Sequence, residues 1–360
     1  MHTLLSSIAT ANPPLRRSQQ FAASFMQRVT SIPAPLRKRI PAIYERSGID
    51  YRYSCVDDYG REVGDFEFFP PSWDLDPPPT TSARNAKYRE QVIPLAERAA
   101  AEALHLAAVD PRDVTHVVCV SCTGFFAPGL DIELVKRLGL PNDTRRAFIG
   151  FMGCYAAFNA LRVAHGFCRS HPAAVVLVVC AELCTLHFQT NESLESAIVN
   201  ALFSDGAAAA VLRSVHEGEG HGLAYVDGRA ELDDDSMEDM TWDIGDAGFM
   251  MGLSSRVPSV IAKRLPAYLN RLLEGRGKAD FWAIHPGGIA IVEKAQEILD
   301  LSDADVRDSL EVLRLHGNMS SPTILFILKR ILERDPLPES GVALAFGPGL
   351  TIEGAYFQRV

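Results

Sequence analysis

Three residues of this chain have the types and settings that thiol chemistry requires. Cys154 lies in Gly150-Phe-Met-Gly-Cys154-Tyr-Ala-Ala, where a glycine-containing turn delivers a cysteine into a helix. A thiol there feels the positive end of the helix dipole and free N–H groups, which favour the thiolate. Free cysteine is also a common small core residue, so position alone leaves both readings open. His285 follows the apolar stretch Phe281-Trp-Ala-Ile and is held by Pro286, Gly287 and Gly288. It is either an imidazole at the carboxyl end of a strand or a histidine that caps a turn. Asn318 stands in Leu315-His-Gly-Asn318-Met-Ser-Ser-Pro322-Thr. Pro322 suits a first helical turn and Ser320 or Ser321 its cap, leaving Asn318 as a turn residue or an amide donor. Together the three match an activated nucleophile: an imidazolium steadies a thiolate, and His and Asn donate to a developing oxyanion.

The elements that position them alternate in type. Apolar, β-branched runs predict strands at 4–11, 116–121, 174–179, 207–212, 281–284, 341–346 and 350–358. Helical patterns occupy 81–108, 132–138, 155–169, 193–202, 257–274, 288–300 and 322–334, with Pro94 expected to break or kink the first. This rhythm predicts a layered α/β architecture. Residues 214–246, with the acidic run Glu231 to Asp239, read as a solvated loop between two lobes. The segments 202–212 and 345–355 both read as a glycine turn followed by a strand, which hints at internal duplication.

Composition narrows the function. A net charge of −10 argues against a dedicated nucleic-acid binder, although Arg37, Lys38, Arg39, Arg46 and Arg52 can still steer an anion. The longest apolar run, Ala173 to Cys180, reaches Cys184 only by admitting Glu182. That is well short of the roughly 20 residues of a membrane helix. The amino-terminal stretch lacks a basic n-region, so the expected compartment is cytoplasmic. Seven cysteines, an odd number in 360 residues, fit free thiols better than a disulfide framework. Cys119-Val-Ser-Cys122 has metal-like spacing, but there is no second such pair and the residues lie on a strand. No metal is expected, and no phosphate loop or dinucleotide fingerprint is present.

At the level of ordered motifs the chain resembles the type III polyketide synthases of the chalcone-synthase superfamily. The matching pieces are Thr10-Ala-Asn-Pro-Pro14, Ser121-Cys-Thr-Gly124 with Pro128-Gly129, and Gly153-Cys154. Further matches are Ala201-Leu-Phe-Ser-Asp-Gly206, Ile284-His-Pro-Gly-Gly288, Gly317-Asn-Met-Ser-Ser321 and Phe346-Gly-Pro-Gly-Leu-Thr351. They run in order over nearly the whole chain. Ser121-Cys-Thr-Gly and Glu182-Leu-Cys-Thr-Leu look closer to bacterial members than to plant ones.

The resemblance implies an α/β, thiolase-like fold of two duplicated layered αβαβα halves. Residues 1–215 would carry the cysteine, and 216–360 the histidine and asparagine. It implies that Cys154 accepts a starter acyl group from coenzyme A (CoA). His285 and Asn318 then stabilise the enolate formed when malonyl-CoA loses carbon dioxide. Repeated condensation and cyclisation would give a pyrone or a resorcinol- or phloroglucinol-type product, with no organic cofactor and no metal. Phe203 matches a gate between CoA tunnel and cavity, or is an ordinary core aromatic. The second gate position falls on Met251, a flexible thioether. Trp242 stands where plant enzymes carry glycine and would fill or reshape the cavity. Cys122 and His187 fall near threonines that line the starter pocket; Ser320 belongs to the same lining. Gly347, Pro348 and Gly349 match a loop that shapes the cavity floor. Arg46, and more loosely Arg39, match CoA-phosphate contacts or are solubilising side chains. A homodimer is implied. The alternatives are a single-condensation enzyme like ketoacyl-ACP synthase III, which normally carries a histidine-rich HQAN-type motif in place of His-Pro-Gly-Gly, and a silent CoA-binding scaffold.

Overall fold

The computed structural model describes residues 1–191, 193–216 and 218–360. The first half contains β1 (His2–Ala11), β2 (Leu15–Ser18), α1 (Gln19–Arg28), α2 (Ala34–Arg37), α3 (Ile40–Glu45), β3 (Tyr51–Ser54) and α4 (Thr81–Leu106). There follow β4 (His116–Ser121), α5 (Leu130–Leu138), β5 (Arg145–Gly150), α6 (Ala156–Ser170), β6 (Val175–Leu183), α7 (Leu194–Leu202) and β7 (Asp205–Val215). The second half contains β8 (Leu223–Leu232), β9 (Met240–Gly245), β10 (Gly248–Leu253), α8 (Val257–Leu272), β11 (Phe281–Ile284) and α9 (Ile289–Leu299). It ends with α10 (Asp303–His316), α11 (Thr323–Leu332), β12 (Ser340–Gly347) and β13 (Thr351–Arg359).

Strand parity sorts these elements into layers, because successive side chains on a strand point to opposite faces. Val117 and Cys119 of β4 pack with α4, whereas Val118 and Val120 pack with α6 and α11. In the second half Val342 and Leu344 of β12 pack with α8 and α9. Their neighbours Ala343 and Ala345 join the same α6–α11 core. The result is α4, strands, α6 with α11, strands, and α8 with α9: five layers with two helices shared at the centre. Cys119 and Cys122 therefore face different cores, and the metal-like spacing does not converge.

The strands join one nine-stranded sheet in the order β11-β12-β13-β8-β1-β7-β6-β4-β5. In it β4 runs parallel to β6, and β6 and β1 both run antiparallel to β7. The same pattern recurs as β11 parallel to β12, with β12 and β8 antiparallel to β13. The antiparallel pair β1–β8 joins the two sets. The two glycine-turn ends seen in the sequence lead into the equivalent strands β7 and β13.

Two expectations need correction, and one helix lies outside those expected. Residues 214–246 are not a loop: β8 lies between β1 and β13, and β9 pairs with β10. Its acidic residues are held by distant arginines, Asp227 by Arg276, Glu231 by Arg271 and Asp233 by Arg264. Charge-run reasoning cannot see partners tens of residues away. Pro94 does not break α4, which runs from Thr81 to Leu106 with the proline inside it. Residues 303–316 form α10, opened by a capping box between Ser302 and Asp305.

Asp205, at the start of β7, pins the site's outer loops to the sheet. Its carboxylate accepts from the backbone N–H of Cys55 at 2.8 Å, the N–H of Thr185 at 2.8 Å and the Thr185 hydroxyl at 2.7 Å. Replacing it by alanine strands those buried donors and should cost about 2–5 kcal/mol. Urea unfolding of Asp205→Ala is expected to show a lower midpoint at unchanged slope, with Asp205→Asn, which keeps an acceptor, losing less.

Candidate active site

Two helix starts of the central layer converge on one thiol. Cys154 sits in the short 3-10 turn Gly153–Tyr155 that opens α6. Gly153 has φ +79°, and a Cβ there would lie 2.5 Å from Pro348 Cδ. Only glycine accepts both the left-handed backbone and that approach. Asn318 precedes α11 and is pinned by its backbone. Its N–H donates to Leu202 O at 2.9 Å, and its carbonyl accepts from Ser204 N–H at 2.9 Å. Its side chain spans two turns: Oδ1 accepts from Ser320 N–H at 2.8 Å, and Nδ2 donates to Gly287 O at 3.4 Å. His285 leaves β11 with its N–H donating to Leu344 O at 2.8 Å. It is 1% exposed, yet both ring nitrogens lack a partner among the described residues.

Burial governs the electrostatics. It pushes the Cys154 thiol up to about 11, while the Ser320 hydroxyl and Asn318 amide beside it pull the other way. Burial also depresses His285 to about 3. Burial thus works against the pull of the helix start, disfavouring charge on the thiol and on the imidazole alike.

Cys154 opens into a cleft of about 1260 Å³, its open mouth included. Phe203, Met251, Trp242, Cys122, His187, Ser320 and Pro348 all line it, so most of the expected pocket is brought together. His285 and Asn318 lie outside that lining; so do Gly347, which is buried, and Gly349, at φ +116°. Arg39 and Arg46 stand exposed at either end of α3 and do not line the cleft, although Tyr44 between them does.

One wall is an aromatic stack. His187 lies parallel to Phe249 with centroids 4.2 Å apart, and Trp242 meets both edge-on. Trp242 Nε1–H donates to Cys122 O at 2.8 Å. The His187 tautomer follows from its partners: Nε2–H donates to Thr123 O at 2.7 Å, and Nδ1 accepts from Phe249 N–H at 3.0 Å. Burial, the larger influence, holds His187 down at about 4. The stack therefore bonds β4's end, the loop after β6 and the β9–β10 hairpin into one rigid surface.

Sequence reasoning missed Glu182 as a site residue. It is fully buried and accepts from Cys122 N–H at 2.9 Å and from the hydroxyls of Ser121, Thr123 and Ser321 at 3.2, 2.7 and 2.7 Å. The available signal was a lone acid inside an apolar run. Phe249, Arg17 and Arg52 also line the cleft and were not singled out as site residues.

Burial raises Glu182 from 4.5 to about 7, against the pull of its donors. The folded state then holds this proton more tightly than the unfolded chain. The associated stability is fully present below about pH 4.5 and is lost as pH rises through about 7, worth on the order of 3 kcal/mol. Relative to Glu182→Gln, the wild type should therefore lose stability between pH 4.5 and 7.5. Urea unfolding at both pH values reads this; an identical gap between the two proteins at both would refute it.

Family models place the chain. Residues 2–215 match the N-terminal domain of chalcone and stilbene synthases, and residues 228–360 match the C-terminal domain. The alpha-pyrone synthesis polyketide synthase-like Pks18 of Mycobacterium tuberculosis is 32% identical, over 99% of this chain and 91% of that protein. A 3,5-dihydroxyphenylacetyl-CoA synthase of Streptomyces toyocaensis is 34% identical over 73% of this chain and 72% of its own. Among solved structures, PKS-I of the brown alga Ectocarpus siliculosus superposes with a TM-score of 0.94 at 33% identity, covering 100% of this chain and 98% of that one. The type III domain of Steely1, a type I/III hybrid from Dictyostelium, superposes at 0.92 and 27% identity, covering both chains fully. These matches favour the iterative enzyme over the single-condensation alternative. With the five-layered thiolase-like α/β fold and the thiol at its centre, they make this chain a member of the chalcone and stilbene synthase family, an acyltransferase of the type III polyketide synthase class.

Proposed function

We propose that Cys154 carries the growing acyl chain while His285 and Asn318 manage the charge that forms beside it. The observation that carries this reading is the fully buried His285 ring with both nitrogens unpartnered, tied through Gly287 and Asn318 to the thiol. A buried polar group left without a partner is costly unless a ligand supplies one.

Because burial disfavours charge on both groups, loading couples proton transfer to bond formation. The Cys154 sulfur attacks the thioester carbonyl, His285 takes the thiol proton, and the departing CoA sulfur receives it back. Malonyl-CoA then loses carbon dioxide. The electron pair of the broken bond moves onto the thioester oxygen, where the imidazole N–H and the Asn318 amide donate. The enolate carbon attacks the Cys154 thioester and the thiolate leaves, taking up a proton from solvent, to yield a β-ketoacyl-CoA that reloads for another round. Loss of carbon dioxide supplies the carbanion.

Phe203 and Met251 serve as the gate, Arg46 and Arg39 bind CoA phosphates at the ends of α3, and the product is a pyrone or a resorcinol-type ring. The open sheet edge at β5, with exposed Phe148, is where we place a second copy. No helix among the described residues is long and apolar enough to cross a membrane, in keeping with a cytoplasmic enzyme.

Purified protein given a panel of acyl-CoA starters with malonyl-CoA should release malonyl-dependent pyrones or resorcinols, read by mass spectrometry. Cys154→Ala should reduce product at least about a thousandfold, and Asn318→Ala by about 10²–10³. Indifference to Cys154→Ala would point to a silent scaffold. Trp242→Gly removes the indole from the rigid wall and is expected to shift the product spectrum by at least one further malonyl extension.

A further inference from the structure

The two-stranded ribbon β2–β3 sets Arg17 directly opposite Arg52. Cross-strand partners share a face, and like charges placed there destabilise a ribbon. Both arginines, with Leu15 and Ser54 on the same face, line the cleft that contains Cys154. Neither forms a salt bridge among the described residues, and Asp50, the nearest acid in sequence, is paired with Arg314. In a chain of net charge −10, two cross-strand arginines that line one cleft without a carboxylate are suited to receive an anion from outside.

Arg52 is held but not used up. Its Nε donates to Gln19 Oε1 at 2.8 Å, and Nη1 donates to Asn200 O at 2.7 Å and Phe203 O at 2.8 Å. All these acceptors are neutral. Tyr44, another neutral neighbour, lies beside the guanidinium, and Nη2 is not among the sealed-in unpartnered atoms of the described residues. Arg17 donates from Nη1 to the carbonyl of Arg16 at 3.1 Å, and Gly60 leaves room for its Nη2. Gly60 follows Tyr59, itself a cleft residue that feels the Arg52 charge.

The depth of the pair decides which anion it meets. Phe203, whose carbonyl binds Arg52, bridges to Asn318, and a Cβ on Gly317 would lie 3.1 Å from Arg52 Cγ. The Arg52 stem thus packs beside the loop that carries Asn318, on the protein side of the cleft. The CoA phosphates lie a full pantetheine arm away, where exposed Arg39 and Arg46 suit them. Phe25, Met26, Tyr59 and Phe188 line the same cleft, a lining apolar enough for methylene groups. We infer that this cleft takes starter acyl groups ending in a carboxylate, the half-thioesters of dicarboxylic acids, with the terminal carboxylate bound by Arg17 and Arg52. Planar guanidinium groups match a carboxylate in bidentate fashion. The inference rests on the condensing reaction proposed above.

The test compares matched starters of equal length, hexanoyl-CoA with adipoyl-CoA and octanoyl-CoA with suberoyl-CoA, each with malonyl-CoA as extender. The readout is the ratio of kcat/KM for the carboxylated starter to that for its plain partner. In the wild type this ratio should be one or greater, since a plain chain leaves both guanidinium groups unpaired. Arg17→Gln should lower it about tenfold or more, the size expected for losing a hydrogen bond to a charged group. Arg17→Lys, which keeps the charge, should recover most of it. The inference is overturned if the wild type elongates hexanoyl-CoA but not adipoyl-CoA. It is equally overturned if Arg17→Gln slows both starters in parallel, which would assign the arginines to CoA phosphates. Absence of malonyl-dependent product from every starter would instead defeat the condensing reaction itself.

Discussion

Keeping water away from a thiol and an imidazole is the constraint on which the rest of this structure depends. Dryness strengthens every interaction with charge that appears during reaction, but it also suppresses charge at rest. Burial moves Cys154 up to about 11 and His285 down to about 3. Burial therefore works against an ion pair between the two members at rest. Geometry must come from the scaffold, and it does. Cys154 is fixed by the start of α6, Asn318 by main-chain bonds to Leu202 and Ser204, and His285 by its N–H to Leu344. An imidazole with two unsatisfied nitrogens costs about 1–3 kcal/mol for each, so it persists only where surrounding packing leaves it no alternative.

Strain gathers at the same place. Phe151, Gly153 and Ser320 all have positive φ near +60° to +80°, and two of the three are not glycine. Such residues cost of order 1–3 kcal/mol each and survive where neighbours over-determine them. Glu182 is one such neighbour, because its carboxylate binds the end of β4 on one side and Ser321, next to Ser320, on the other. It joins the cysteine's wall to the asparagine's loop without touching either side chain.

How much of this was legible in the sequence follows from how local each feature is. Cys154, His285 and Asn318 sit in dense turn motifs whose glycines and prolines announce a strand–helix junction, and the structure brings their surroundings together. The acid–arginine pairs of β8 were invisible, since Asp233 and Arg264 are 31 residues apart and each looks like ordinary surface charge. α10 carried a readable capping box at Ser302 and Asp305, but its charged composition hid a buried stripe of Val306, Ser309 and Leu313. The ionisation states could not be read at all. A helix-start cysteine in water and one at 5% exposure have the same sequence and opposite tendencies.

Reaction and specificity are carried by different parts of the chain. The condensing chemistry needs the central layer and the nine-stranded sheet around it, where a change in one strand disturbs two packed cores. The cleft's boundaries draw in part on two small ribbons outside that sheet: β9–β10 contributes Trp242, Phe249 and Met251, while β2–β3 contributes Arg17 and Arg52. A two-stranded ribbon is marginal on its own and takes its shape from what it rests on. Its cleft-facing side chains can therefore be exchanged at little cost to the core, whereas those of β4 or β12 cannot. The cleft lining can accordingly vary at the ribbons while Cys154, His285 and Asn318 keep the positions the core gives them. In this member the β9–β10 wall is rigidly bonded and filled by an indole, and the β2–β3 wall is open and doubly cationic. The cleft is thus bounded by an indole and stacked rings at one ribbon and by two cations at the other.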